Sequence, residues 1–221
     1  GDQQLELYRR KLMELYPAAD VQIRIHDPIA WQPAIQPSGD GWSDILQQLL
    51  FQRQQDRMAG DAAPDEYYYG LFNPAPSFVS YCSGGLGCVL GLSSTAEDPS
   101  EEYLRGSVGV GFVGERASVT MAHEIGHAHG RLHSPCAPGN FIQSVDPNYP
   151  HPDAQLGVWG YDILNQTLID PSGKTRDIMG YCDPIWISDY TYQALFERMV
   201  IVSTAAGNAG FASGGGAAAP Y

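Results

Sequence analysis

The sequence predicts an α+β fold, α/β in its first lobe, and three observations carry that reading. Segments alternating with period two are interspersed with segments of helical period through the first half of the chain. A helix bearing several histidines comes next. Beyond it the chain turns irregular, dense in Pro, Gly and Asn, before a last helix closes it.

Taken in order, Gln4–Tyr16 spaces Leu5, Tyr8, Leu12, Leu15 and Tyr16 as one helix face, and Pro17 stops it. Val21–Ile25 alternates apolar and polar residues and reads as a strand. Ser43–Met58 is the longest helical pattern, striped by Ile45, Leu49, Leu50 and Met58, with Ser43 as its cap. Tyr67–Phe72 is an aromatic strand. Phe78–Leu92 is Gly-rich, with two short strand-like pieces around Cys82 and Cys88. Ser107–Val113 alternates again, with glycines that a bulge or an edge strand tolerates. The histidine-bearing helix runs from about Ser118 to His129. Short extended pieces follow at Gly157–Tyr161 and Thr167–Ile169. Ser188-Asp189 caps a final helix whose expected buried face is Tyr192, Leu195, Phe196, Met199 and Val200. From Ala205 the sequence becomes Ala, Gly and Ser. The expected organisation is one domain over residues 1–204, with lobes at about 1–130 and 131–204, and a linker or disordered tail over 205–221.

Composition narrows the function. A net charge of −13 with twelve scattered Lys and Arg excludes a nucleic-acid surface, and the acidity is read as solubility. No apolar run approaches the roughly 18 residues of a membrane span. Four cysteines suit two disulfides and an oxidising compartment, hence a secreted or cell-surface protein. The chain opens at Gly1-Asp2 with no signal-peptide pattern, as a mature or trimmed catalytic part of a longer protein, expected to be monomeric, would.

The chemistry concentrates in His123-Glu124-Ile125-Gly126-His127-Ala128-His129-Gly130-Arg131-Leu132-His133. His123 and His127 are four positions apart, one turn along one helix face, where two imidazoles hold one zinc. Glu124 is one step round, placed to reach a water on that metal as general base. On an unbroken helix His133 would lie about 9 Å past His127, so the chain has to leave the helix between them. Gly130 is the residue suited to the left-handed turn that allows it. Three protein ligands leave a fourth position open for water, the mark of a catalytic zinc. His129, about 200° round from His127, points away and is read as a bystander, as are His26 and His151.

The long motif, with Asp177-Ile178-Met179-Gly180-Tyr181 beginning 44 residues past His133, resembles the metzincin clan of zinc metalloendopeptidases. Tyr181 is similar to the metal-side tyrosine of astacins and serralysins, and Ser134 to matrixins. Cys136 after the third histidine and Cys182 after the methionine resemble pappalysin-like and StcE-like secreted bacterial enzymes.

The resemblance implies a twisted mixed sheet between a backing helix and the active-site helix, then an irregular lobe with a Met-turn and terminal helix. It implies that Met179 floors the zinc without ligating it, and that Tyr181 assists as an oxyanion donor. With the Met-turn under the zinc it implies Cys136–Cys182, leaving Cys82–Cys88 to close a small loop; four cysteines allow three pairings. One catalytic Zn2+ is implied; calcium is not indicated. The resemblance implies a protein or peptide substrate, extended along an edge strand. Ser107–Val113, with Val110, Gly111 and Phe112, is the strand expected to receive it, and Trp186 is expected to wall the pocket beyond the Met-turn. A glycoprotein-specialised protease is the alternative reading; intact Glu124 argues against a non-catalytic zinc-stabilised binding module.

Overall fold

The structure, a computed structural model, describes residues 2–84, 87–137 and 142–213, with the backbone alone over 208–213. Helix α1 (Asp2–Leu15) and helix α2 (Trp42–Ala59) precede strand β1 (Tyr68–Phe72). A four-residue helix α3 (Phe78–Tyr81), strand β2 (Gly91–Ser93) and strand β3 (Gly106–Val110) lead into helix α4 (Glu115–Ala128). The rest holds a hairpin of β4 (Gly160–Asp162) and β5 (Thr167–Ile169), a pair of two-residue strands β6 (Arg176–Asp177) and β7 (Ile185–Trp186), and helix α5 (Asp189–Ser213). The fold class is the expected α+β, and no described helix is long and apolar enough to cross a membrane.

The main sheet has the order β1-β3-β2, with β1 parallel and β2 antiparallel to β3. One face is covered by α2, whose Trp42, Leu46 and Leu49 pack with Tyr68, Val108 and Val110. The other face is covered by α4, with α1 behind it through Tyr8 and Met121. Being central, β3 is buried along its whole length, and it stays thin where partners approach. A Cβ on Gly109 would collide with the Tyr69 hydroxyl. A second core, formed by Leu15, Ala122, Leu156, Met179, Trp186 and Leu195 among others, joins α1, α4 and α5 to the C-terminal lobe.

Several sequence expectations are corrected. Val21–Ile25 forms no strand: its backbone makes no hydrogen bond to another backbone group among the described residues, and Ile25 is exposed. Alternation alone does not supply a ladder partner. The region around Cys82 is the helical turn α3, begun by a reciprocal Ser77–Ser80 capping box, and the strand begins only at Gly91. The helix expected from Ser43 starts at Trp42 behind Gly41, whose left-handed φ of 82° makes the turn without a side-chain cap. In α5, Ser188 Oγ does accept the Thr191 N–H (3.1 Å), as a capping serine should. Its buried stripe, however, runs through Thr191, Leu195 and Val202, with Met199 partly buried. Tyr192, Phe196 and Val200 lie about 100° round and are exposed. The helix also continues to Ser213, past Ala205 where the tail was expected to start; 214–221 lie outside the described residues.

Candidate metal centre

Helix α4 carries His123, Glu124 and His127 on its inner half, all buried. It ends in two complementary bonds: Arg131 N–H donates to Gly126 O (3.0 Å) and Gly130 N–H to His127 O (2.7 Å). Gly130 takes φ +84°, the left-handed conformation foreseen for it. The chain then reverses, and His133 joins an isolated parallel bridge to Val145, with its N–H donating to Ser144 O at 3.1 Å. This brings the third histidine back over the first two.

Each imidazole is aimed by its outer nitrogen. Nδ1 of His123 lies 2.8 Å from Ile178 O, that of His127 2.6 Å from Arg131 O, and that of His133 2.6 Å from Gln143 O. A carbonyl only accepts, so each Nδ1 carries the proton and each Nε2 presents a lone pair. His127 Nε2 lies 3.1 Å from Nε2 of both His123 and His133. Three lone pairs facing one point repel unless a cation lies between them. Nitrogens about 2.0–2.1 Å from a tetrahedral zinc stand about 3.3 Å apart, so the spacing fits that ion. Burial, with the neighbouring imidazoles, pushes His123 down to about 3 and His127 to about 4; His133 is lowered by burial too. Lowered in this way, all three favour the neutral imidazole that a metal requires.

Among the described residues no cationic side chain pairs with Glu124, and burial pushes its carboxyl up to about 8. Its carboxylate lies against Gly91 of β2, where a Cβ would collide with it. Tyr181, half exposed, places its hydroxyl 2.8 Å from His133 Nε2, at the rim of the same point. Met179 is buried. A Cβ on Gly126 would stand 2.5 Å from Met179 Sδ, so α4 meets the Met-turn through that glycine. Both disulfides form, with Cα–Cα distances of 5.7 Å for Cys136–Cys182 and 5.5 Å for Cys82–Cys88. The first ties the segment after His133 to the Met-turn, alongside a bond from Tyr181 N–H to Cys136 O (2.7 Å).

A family model described as Peptidase M66 matches residues 98–208, just over half of the chain, from before β3 into α5. The chain belongs to the Peptidase M66 family. No curated protein matches it. Among the resemblances of its motif, membership of M66 selects the StcE-like metzincins, and it makes the chain a metalloendopeptidase. The matched stretch contains all three histidines, Glu124, Met179 and Tyr181.

Within this M66 chain the structure corrects the expected substrate surface. Strand β3 is central, not an edge: Val110 N–H already donates to Leu90 O and Gly111 N–H to Phe72 O, both at 2.9 Å. Val110 is buried, and Phe112 packs into the core between α2 and the sheet. Trp186 is buried too, its indole filling the space beside Gly160. The strand beside Glu124 is β2, which overlaps only the end of the Gly-rich Phe78–Leu92 segment read from the sequence. His129 is the expected bystander, stacked on Tyr67 with ring centroids 4.0 Å apart.

Proposed function

We propose that this M66 enzyme is a secreted zinc endopeptidase in which His123, His127 and His133 hold one zinc ion and Glu124 moves the proton. The observation that carries the reading is the convergence of three neutral, carbonyl-oriented imidazoles on one point beside a buried carboxyl group. Bound zinc supplies Lewis acidity to a water and to the scissile carbonyl. Glu124 accepts the proton of the attacking water and delivers it to the departing amine. Its buried carboxyl suits delivery of that proton, since burial makes it readier to hold one than an exposed glutamate, while a bound cation nearby would favour the charged form that accepts it. Tyr181 donates its hydroxyl to the carbonyl oxygen as negative charge develops there. Two disulfides support a secreted protein, as does the family.

Substrate lies extended along β2. Leu90 and Leu92 turn their backbone groups towards β3, so those of Gly91 and Ser93 face the open edge. An added peptide strand needs only such groups, and Gly91 presents them beside Glu124.

The test is Glu124→Gln in the full chain. It should retain one zinc per molecule by elemental analysis while losing cleavage of a protein substrate by at least about a hundredfold. Peptidase activity at the wild-type level would remove Glu124 from the chemistry.

A further inference from the structure

We propose that Asp177 is a positioning residue for the metal centre, setting the direction of the His123 imidazole through one peptide group. The inference rests on the reading of His123 as a zinc ligand. Asp177 is wholly buried, and both of its carboxylate oxygens are engaged by backbone donors. Oδ1 accepts the Met179 N–H at 2.9 Å, and Oδ2 accepts the Ser188 N–H, at the start of α5, at 2.8 Å. Asp177 is not among the residues whose ligand atoms converge on the metal point, so it is not assigned as a ligand.

The Met179 N–H and the Ile178 carbonyl belong to the same planar peptide unit and point in opposite directions. Anchoring the N–H to Asp177 therefore aims the carbonyl the other way, at His123 Nδ1, 2.8 Å off. The flanking peptide is pinned as well, by Ile178 N–H donating to Trp186 O (2.7 Å). The turn itself is closed by Gly180 N–H on Asp177 O (3.0 Å). A peptide so held has no freedom to rotate, and it keeps the His123 proton on Nδ1 and the lone pair of Nε2 on the metal point. Partners of this kind behind a ligating histidine are worth about 10–100-fold in metal affinity.

The two contacts of Asp177 are separable by side-chain chemistry. Asparagine keeps an oxygen for the Met179 N–H two residues on, the bond of an Asx turn, but presents an amide NH2 to the Ser188 N–H. Alanine loses both contacts. Serine makes the turn bond more weakly than asparagine and reaches no further.

The experiment measures zinc dissociation constants by chelator competition, and visible spectra of the cobalt-substituted full chain, at a temperature where circular dichroism shows each variant folded. Asp177→Ala is expected to bind zinc about 10–100-fold more weakly, with shifted cobalt bands, and Asp177→Asn to stay close to wild type in both. Should the alanine variant not fold, Asp177→Ser against Asp177→Asn carries the same comparison, because both lose the α5 contact. Serine is then expected to bind the more weakly. Equal affinities and identical cobalt spectra across the folded variants would overturn the proposal and leave Asp177 a fold-stabilising residue. A wild-type chain that takes up neither zinc nor cobalt would instead overturn the ligand assignment itself, a failure visible before any variant is compared.

Discussion

Glu124 and Gly91 show how little room the centre leaves for a methyl group. Gly91 has an ordinary strand backbone, so alanine there is not strained by φ; the added Cβ simply meets the Glu124 carboxylate. Gly91→Ala is expected to keep zinc and lower kcat at least about tenfold, because a proton carrier displaced by around an ångström loses its alignment. Steady-state kinetics with metal analysis would check it; an unchanged kcat would mean that Glu124 has space to move. At this scale the sequence was an uneven guide. His123, Glu124 and His127 were legible because one helical turn fixes their geometry, and Gly130 because the third histidine required a break. Gly91 was not, since its approach to Glu124 depends on which strand forms the sheet edge. The carbonyl partner of His123 was hidden because it is remote in sequence: Ile178 lies 55 positions away.

At the scale of elements, the end of α4 decides whether the third histidine arrives. Gly130 combines a left-handed φ with close neighbours, for a Cβ would stand 2.6 Å from both Ala96 O and the Arg198 guanidinium. Gly130→Ala should cost at least about 2 kcal/mol, joining the left-handed penalty to the collision. In a chain of this size that is a fall of about 4–8 °C in Tm. Thermal unfolding of the zinc-free protein reads it directly, and a shift under a degree would mean that the helix end re-forms without strain. Long periodic elements, α1, α2, α4 and α5, were readable to within a few residues at their starts because periodicity and punctuation are local. Strand order was not. Ser107–Val113 looked like an edge from its glycines, yet Gly109 admits the Tyr69 hydroxyl, and Gly106 just before the segment admits Leu50 of α2, against a central strand. Val21–Ile25 alternated correctly and still found no partner. The α5 stripe was misplaced by one residue because both of its faces are rich in apolar side chains.

For the molecule as a whole, the two disulfides hold very different amounts of chain. Cys136–Cys182 spans 46 positions and Cys82–Cys88 spans 6. By loop-closure entropy the first restricts the unfolded chain by about 4 kcal/mol and the second by about 2 kcal/mol. Replacing Cys136 and Cys182 by serine should therefore lower the denaturation free energy about twice as much as replacing Cys82 and Cys88, measured by urea unfolding. The reverse ranking would place the larger constraint in the small loop. The long bridge also closes the stretch of chain that runs from His133 to the Met-turn, so it encloses the carbonyls of Gln143 and Ile178 that orient two of the histidines. The three Nδ1–carbonyl bonds are made entirely of protein. The directions of the three imidazoles are consequently chosen by folding, and on the proposed zinc reading metal uptake is expected to be a docking event with little conformational entropy left to lose. Zinc exchange would then be governed by how fast the ion sheds and regains water, and not by how fast the chain rearranges around it.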